Sequence, residues 1–158
     1  MAKVLLGFMG SGKTTIARQL DSDFVDMDAL LEGRLGMPIA RFFEEKGEAV
    51  FRQVEEEVLA DLLKTDKVIS TGGGIVISPR NRDLLKQNPE NIYLKADFET
   101  LYQRISADKD NQRPLFLNNS KEDLAAIFDE RQAWYEEVAS QIVDVSSLSP
   151  EEIIEELR

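Results

Sequence analysis

A glycine-rich run near the start of the chain could bind phosphate. Residues 7–14 read Gly-Phe-Met-Gly-Ser-Gly-Lys-Thr and match G-x-x-x-x-G-K-[ST] at every specified position. Glycines let the backbone curl so that several N–H groups point at one phosphate, and a following helix adds its N-terminal dipole. In this pattern Lys13 reaches the β- and γ-phosphates, and the Thr14 hydroxyl ligates Mg²⁺. A plain glycine turn with a solvated Lys13 is the alternative.

Two carboxylates, Asp26 and Asp28, follow a short apolar segment. Residues two apart on an extended chain share a face, so both could point into a cleft beside the glycine-rich run. One could then hold the hydration shell of Mg²⁺ and the other could bind a substrate hydroxyl. From the spacing alone, Asp28 could equally cap a helix while Asp26 is a solvated turn residue.

Four further features have both a functional and an ordinary interpretation. The three glycines at 72–74 follow a predicted strand and either permit close approach of a ligand or form a turn. Arg52 and Glu55 lie three apart on a predicted helix and could form only a surface ion pair. Arg113 lies in a polar loop and Arg131 on a predicted helix, where either could be an ordinary solvated arginine.

The composition excludes several catalytic mechanisms. The 158 residues include no histidine and no cysteine. The chain therefore has no Ser-His-Asp triad, no Cys–His nucleophile, no ordinary zinc site and no disulfide. Phosphoryl transfer requires none of these, because it relies on positioning and on stabilisation of charge. A chain without cysteine fits a reducing compartment, and we expect a cytoplasmic protein.

The charge balance excludes two kinds of partner. Thirty acidic residues against 19 basic ones give a net charge of −11, which argues against sequence-independent binding to nucleic acid or anionic membranes. No stretch approaches the length of about 18 apolar residues that a membrane span needs. A small anionic substrate remains compatible with this charge, because a local basic pocket can lie in an acidic protein.

Alternating strands and helices must position these candidate residues. The predicted strands are 4–8, 24–26, 67–70, 91–94 and 141–145. The predicted helices are 13–20, 28–35, 48–64, one from Pro79, 98–106, one ending near 139, and one from Pro150. Residues 107–120 form a predicted loop. Helix 48–64 has a predicted apolar stripe of Val50, Val54, Val58, Leu59 and Leu62.

This alternation predicts one α/β domain with a parallel sheet and helices on both faces. In such folds, ligands bind beyond the carboxyl ends of the strands. The residues that follow the first three predicted strands are 7–14, 26–28 and 71–74, which contain the unusual side chains and glycines described above. The organisation therefore gathers the candidate residues at one edge of the sheet.

Taken in order along the chain, these motifs resemble the shikimate kinase family. The motifs are G-x-x-G-S-G-K-T at 7–14, D-x-D at 26–28, F-x-x-x-G-E-x-x-F-R-x-x-E at 43–55, T-G-G-G at 71–74, R-P-L at 113–115 and R-x-x-x-Y at 131–135. The phosphate loop alone occurs in very many proteins, whereas the combination with the second, third and fourth motifs is much more specific. The resemblance spans essentially the whole chain.

The resemblance implies a fold and an activity. The fold is a three-layer P-loop kinase domain covering 1–158, close to the nucleoside monophosphate kinases, with five parallel strands in the order 2-3-1-4-5. Substrate-binding helices would lie at about 28–64 and a lid at about 107–120. The activity is transfer of the γ-phosphoryl group of ATP to the 3-hydroxyl of shikimate, a step toward chorismate and the aromatic amino acids. We expect Mg²⁺ as cofactor, ATP and shikimate as small-molecule partners, and a monomer.

The resemblance also assigns residues to the nucleotide. The ATP phosphates would be wrapped by Gly10, Ser11, Gly12, Lys13, Thr14 and Thr15. Thr14 would ligate Mg²⁺, with Asp26 supporting the ion through water. Arg113 would close over ATP from the lid, and Lys13 and Arg113 would supply catalytic positive charge. Arg104 and the segment after Val145 are further candidates for contacts with adenine.

On the substrate side, the resemblance assigns Asp28 to the shikimate hydroxyls and makes it the expected catalytic base. Arg52, Gly73 and Arg131 would hold the substrate, with both arginines on its carboxylate, and Glu55 would orient Arg52. One departure from the family is the short segment between Thr15 and Asp26, which predicts a truncated first helix. Two alternatives remain: a kinase for another small metabolite such as gluconate, and an interaction module gated by ATP.

Overall fold

The computed structural model describes residues 2–108 and 114–157, which contain five strands and nine helices. The strands are β1 (Lys3–Leu6), β2 (Val25–Asp26), β3 (Val68–Ser70), β4 (Glu90–Lys95) and β5 (Gln141–Asp144). The helices are α1 (Lys13–Leu20), α2 (Met27–Leu35), α3 (Ile39–Lys46), α4 (Glu48–Leu62), α5 (Pro79–Lys86), α6 (Phe98–Ala107), α7 (Pro114–Leu117), α8 (Lys121–Val138) and α9 (Pro150–Glu156). Within the described ranges, no helix has both the length and the apolar character needed to cross a membrane.

The five strands form one parallel sheet in the order β2-β3-β1-β4-β5, as expected. Strand β1 lies at the centre, with Leu5 opposite Ser70 of β3 on one side and Ile92 of β4 on the other. All side chains of β3 and most of those of β1 and β4 are buried, which is typical of strands covered on both faces. The chain adds β2 and β3 on one side of β1 and then β4 and β5 on the other. Parallel sheets bind ligands at the point where the strand order changes direction in this way.

Helices flank the sheet, and local sequence sets several of their ends. Helices α1 and α9 pack together, while α5 contacts both α4 and α8. Helix α9 begins as predicted, because Ser149 and Glu152 form a reciprocal capping box around Pro150. Helix α2 ends at Gly36, whose φ of 72° closes the helix in the left-handed conformation.

Two short helices were not predicted. Helix α3 has Pro38 at its N-cap position, which offers no side-chain cap. The Ile39 amide instead donates to Glu32 Oε2 at 2.9 Å, from the preceding helix α2. Helix α7 occupies four residues of the predicted loop 107–120. The start of α3 is stabilised by a contact seven residues away, which a local capping signal does not reveal.

Three details of the predicted elements are wrong. Strand β1 ends at Leu6 rather than at Phe8, because the chain turns into the glycine-rich loop two residues earlier. Asp26 and Asp28 do not lie on one extended strand, since Asp26 caps α2 by accepting from the Ala29 amide at 3.2 Å. Asp28 therefore lies in the first turn of α2 rather than at its cap.

The buried face of α4 also differs from the predicted stripe. Val50 is 41% exposed, whereas Phe51, Glu55, Val58 and Leu59 are buried. Phe51 packs edge-on against Phe42 and Phe43 of α3, so the adjacent helix determines which side of α4 turns inward. The true stripe includes a carboxylate, which an apolar pattern cannot identify.

Candidate active site

The glycine-rich run forms the turn from β1 into α1. Gly10 and Gly12 have φ angles of 83° and 89°, the left-handed conformation that glycine adopts without strain. Gly12 occupies the N-cap position of α1 and no side chain caps the helix. The first amides of α1 are therefore available to an anion. Lys13 Nζ donates to the Gly7 and Phe8 carbonyls at 2.6 and 3.2 Å.

A pocket of about 560 Å³, here called the loop pocket, opens beside this turn. Five of the six residues of the glycine-rich turn that are assigned to ATP line it: Gly10, Gly12, Lys13, Thr14 and Thr15. The sixth, Ser11, is buried and does not line the pocket, and its hydroxyl has no hydrogen-bond partner among the described residues. Arg113, also assigned to ATP, lies outside the described residues.

The oxygen atoms at one side of the loop pocket fit a hard divalent cation. Thr14 Oγ1 lies 3.2 Å from the hydroxyl of Ser70 at the end of β3, and Asp26 lines the same pocket. Among residues 2–108 and 114–157, no cluster of three or more acidic side chains could hold a metal alone. A hydroxyl with one carboxylate is a usual protein contribution to Mg²⁺, which otherwise keeps water and substrate phosphates.

Arg104 was a further candidate on the nucleotide side, and it does line the loop pocket. Its guanidinium donates to the Gly10 carbonyl at 3.3 Å and to the Val145 carbonyl at 3.2 Å. It thereby connects the phosphate loop to the segment that follows β5. Arg104 and the segment that begins at Val145, the two candidates for contacts with adenine, therefore lie next to each other.

A second pocket of about 640 Å³, here called the arginine pocket, lies next to the first. Arg52, Gly73 and Arg131 line it, together with apolar groups from α3 and α4. Asp28 lines both pockets, as do Met9 and the first two glycines of 72–74. The structure thus brings together the four residues assigned to the substrate and places two of them, Asp28 and Gly73, at the boundary of the two pockets.

The three glycines at 72–74 each face one of these side chains. A Cβ atom on Gly72 would lie 2.6 Å from Asp28 Oδ1, and one on Gly74 would lie 2.6 Å from Arg52 Nη2. A Cβ on Gly73 would be 3.6 Å from Arg131 Nη1. None of the three has a positive φ, so backbone conformation does not require glycine there, but a larger residue at 72 or 74 would displace the Asp28 carboxylate or the Arg52 guanidinium.

Arg52 is held by two carboxylates and a carbonyl. Nη1 donates to Glu55 Oε1 and Oε2 at 2.9 and 3.1 Å and to the Gly74 carbonyl at 3.1 Å. Nε and Nη2 donate to Glu48 Oε1 at 3.3 and 3.2 Å. The Glu48 side chain is 55% exposed and that of Glu55 only 2%, so Glu48 is the partner that an incoming anion can displace.

Glu55 is therefore no surface residue. Burial raises the pKa of its carboxyl group, and the Arg52 guanidinium opposes that rise. The pair is therefore not the surface ion pair of the alternative interpretation.

Arg131 projects from α8 and is half-buried. Its guanidinium carbon lies 5.8 Å from the ring centroid of Phe8, and burial lowers the pKa of the guanidinium. One turn later, Tyr135 is fully buried and donates its hydroxyl to the Gly73 carbonyl. Burial raises the pKa of that phenol, which keeps it a neutral donor. This hydrogen bond connects α8 to the glycine segment 72–74 beside Arg131.

Sequence reasoning missed several residues that shape the arginine pocket. Phe43 and Phe51 flank Arg52, with ring centroids 5.8 and 5.2 Å from its guanidinium carbon. Leu115 of α7 also lines the pocket and is the described residue of the expected lid that reaches it. Phe43 and Phe51 are specified positions of the motif at 43–55, which was the available signal. Leu115 is likewise the last specified position of the R-P-L motif at 113–115.

Comparisons with known proteins agree with this arrangement. A family model described as shikimate kinase matches residues 9–158. The shikimate kinase of Streptococcus gordonii is 53% identical, over 100% of this chain and 99% of that protein. A solved shikimate kinase from Acinetobacter baumannii in complex with shikimate is 32% identical, with a TM-score of 0.89, covering 99% of this chain and 89% of that one.

A gluconokinase from Sinorhizobium meliloti 1021 is a more distant structural match. It is 16% identical with a TM-score of 0.56, covering 98% of this chain and 87% of that one, and this likeness shows a common fold alone. The family model and the first relative each match nearly the whole chain, through the phosphate loop and every element that lines the two pockets. The chain belongs to the shikimate kinase family.

Proposed function

We propose that this protein transfers the γ-phosphoryl group of ATP to the 3-hydroxyl of shikimate, giving shikimate 3-phosphate and ADP. The observation that carries the proposal is the position of Asp28 at the boundary of the two pockets, with residues 72–74 in contact with Asp28, Arg52 and Arg131. The loop pocket has a phosphate loop. In the arginine pocket, Arg52 and Arg131 can bind the carboxylate of a substrate, and Asp28 can bind one of its hydroxyl groups. The reaction is a step toward chorismate and the aromatic amino acids.

ATP occupies the loop pocket in this proposal. Its β- and γ-phosphates take the amides at the start of α1, and Lys13 moves from the Gly7 and Phe8 carbonyls to the phosphate oxygens. Thr14 and Asp26 would hold Mg²⁺ at the side of the pocket that they line, Asp26 through water. When bound, Mg²⁺ neutralises phosphate charge and orients the γ-phosphoryl group.

Shikimate occupies the arginine pocket. Its carboxylate replaces Glu48 on Arg52 and also contacts Arg131, because planar guanidinium groups suit carboxylates. Phe43 and Phe51 cover the apolar face of the ring from α3 and α4. Asp28 and the Gly73 backbone lie toward the hydroxyl groups.

In the transfer step, the 3-hydroxyl oxygen forms a bond to the γ-phosphorus while the bond from that phosphorus to the β–γ bridging oxygen breaks. The bridging oxygen leaves with the electron pair as part of ADP. Asp28 orients the hydroxyl and accepts its proton. Lys13 and Arg113 balance the charge on the transferring group, and the 107–120 segment excludes water that would otherwise hydrolyse ATP. A single chain, acting as a cytoplasmic monomer, supplies these groups.

A coupled assay for ADP release tests this proposal against its alternatives. With Mg²⁺ and ATP, we expect release of ADP only when shikimate is added. Turnover with gluconate instead would favour a kinase for another metabolite. Binding of ATP without ADP release for either acceptor would favour an ATP-gated interaction module and refute the proposed transfer.

A further inference from the structure

The carboxylate beneath Arg52 has a second hydrogen-bond donor. Glu55 accepts from Arg52 through both oxygens and is 2% exposed. Asp28 and Glu56 face it with like charge, and burial also disfavours its ionised form. Arg52 is the cation that opposes these effects. An additional hydrogen-bond donor to Glu55 therefore stabilises its ionised carboxylate, and the orientation of Arg52 depends on that carboxylate.

That donor is Asn81, in the first turn of α5. Its side chain is completely buried, and Nδ2 donates to Glu55 Oε1 at 3.3 Å and to the Ile75 carbonyl at 3.0 Å. Both partners are acceptors, which fixes the orientation of the amide, because the reverse orientation would face oxygen to oxygen. The Oδ1 atom has no hydrogen-bond partner among the described residues.

The two bonds of Asn81 reach the two neighbours that hold Arg52 Nη1. One is Glu55, and the other is the backbone immediately after Gly74, whose carbonyl accepts from Nη1 at 3.1 Å. The unpaired Oδ1 indicates that the amide is not optimised for stability, since a buried polar atom without a partner costs free energy. If position 81 served stability alone, a leucine of similar size would fill the same space without that cost.

We propose that Asn81 is a positioning residue for substrate binding, which acts through Glu55 and the 74–75 backbone to hold Arg52 in the orientation that accepts the substrate carboxylate. This inference rests on the proposed function of the arginine pocket. It goes beyond the assignment of Arg52, because Asn81 lines neither described pocket and belongs to none of the sequence motifs.

The test compares Asn81→Leu with the unsubstituted protein in shikimate-dependent ADP release and in calorimetric titration with shikimate. We expect KM and Kd for shikimate to rise about tenfold, the effect of losing one hydrogen bond to a charged group. The kcat and the KM for ATP should not change, and the melting temperature should be equal or higher. Asn81→Ser, which also removes the amide, gives a second variant if the leucine does not fold.

Asn88→Leu is the matched control. Asn88 is also buried, but its amide donates to the Ala2 carbonyl and to Asn91 at 3.0 and 2.9 Å, away from both pockets. We expect this control to lower the melting temperature and leave the KM for shikimate unchanged. The double variant Asn81→Leu with Glu55→Gln completes a cycle, in which the Asn81 change should add little once Glu55 is neutral.

Four results would overturn the inference or its basis, and they can be told apart. An unchanged KM for shikimate in Asn81→Leu, or effects of Asn81→Leu and Glu55→Gln that multiply fully, would exclude positioning through Glu55. An equal rise in KM in Asn88→Leu would assign the effect to general loosening of the fold. Absence of shikimate-dependent ADP release in the unsubstituted protein would refute the proposed function itself.

Discussion

The loop pocket and the arginine pocket share a wall but are built in different ways. The phosphate-binding part of the loop pocket comes from one continuous segment, residues 7–14, whose glycines and helix start present backbone amides. The arginine pocket collects side chains from α2, α3, α4, α7 and α8 and the glycine backbone after β3. A phosphate site can therefore be formed by one local segment. A site that recognises the shape and carboxylate of a small acid requires several helices to pack in a defined arrangement.

The two pockets also handle charge differently. In the loop pocket, Lys13 donates hydrogen bonds to backbone carbonyls. The anion site there consists largely of backbone amides. In the arginine pocket, Arg52 is already paired with Glu48 and Glu55. The comparison suggests that substitutions in the arginine pocket act through networks of side chains, while those near the loop act on phosphate contacts. The following variants test that division.

The largest expected effect is at the boundary of the pockets. Asp28→Asn should lower kcat by about 10³-fold, the usual contribution of a positioned general base, with Kd for ATP unchanged. Turnover with shikimate and titration with ATP measure these quantities. Asp23→Asn is the control, because Asp23 is exposed and lines neither described pocket. Near-normal turnover in Asp28→Asn would refute the role of base.

Gly74→Ala should affect the arginine pocket alone. The added Cβ would meet Arg52 Nη2 at 2.6 Å, so the guanidinium must leave its position between Glu55 and the Gly74 carbonyl. We expect KM for shikimate to rise about 50-fold, in the range of costs for overpacking, with KM for ATP unchanged.

The control for this change is Gly33→Ala in α2, where a Cβ meets nothing within 4 Å. Alanine favours helix over glycine, so this control should keep its activity and gain up to about 1 kcal/mol in the free energy of unfolding. Equal KM values for Gly74→Ala and the control would show that Arg52 is not restricted by the glycine segment.

Arg131→Ala should mainly weaken shikimate binding. Loss of one charged partner for the carboxylate predicts a rise of about 30-fold in KM for shikimate, with ATP binding unchanged. Steady-state kinetics with each substrate varied in turn provide the measurement. Arg41→Ala, at an exposed pair with Glu45 in α3, is the control and should not change either KM. An unchanged KM for shikimate in Arg131→Ala would count against contact with substrate.

Arg104→Ala should weaken the binding of ATP and not that of shikimate, the reverse of Arg131→Ala, and its effect should be smaller. The change removes the contacts from Arg104 to the Gly10 and Val145 carbonyls. We expect KM for ATP to rise about fivefold, the effect of about one net hydrogen bond, and KM for shikimate to stay the same. The exposed Arg80 gives the matched control, Arg80→Ala. A change in KM for shikimate alone would contradict the division between the pockets.

The smallest expected effect is on stability and depends on pH. Burial raises the pKa of Glu55, with Arg52 opposing it, so the folded state binds this proton more readily than the unfolded chain. The stability that Glu55 contributes is therefore present at low pH and is lost as pH rises through its folded pKa. At pH 7, Glu55→Gln should raise the melting temperature by up to about 3 °C while raising KM for shikimate.

This difference in melting temperature should shrink as the pH falls through the folded pKa of Glu55, because the protonated side chain then resembles glutamine. Thermal unfolding of both proteins across the acidic range gives the comparison. A difference that grows as the pH falls would reverse the assigned sign. A melting temperature much lower in Glu55→Gln at pH 7 would show that the ion pair, not its burial, dominates.

Much of the fold was predictable because its signals are local. The strand–loop–helix pattern at 4–20, the start of α5 at Pro79 and the capping box of α9 each depend on neighbouring residues. Helix α3 was missed because its first amide is capped by Glu32 of another helix. Asp26 and Asp28 were predicted to share the cleft, and both line the loop pocket, but through a capped helix start rather than an extended strand.

The sequence by itself determined the phosphate loop, the parallel α/β organisation and the family, because those depend on residue type and spacing along the chain. Only the tertiary structure decided what lies beneath Arg52. Glu55 is in the motif at 43–55, but its burial and its contact with Asn81, 26 residues away, arise from the packing of α4 against α5. Spacing along a chain cannot show which helix faces meet, and burial sets both the pKa of Glu55 and the energetic value of its hydrogen bonds.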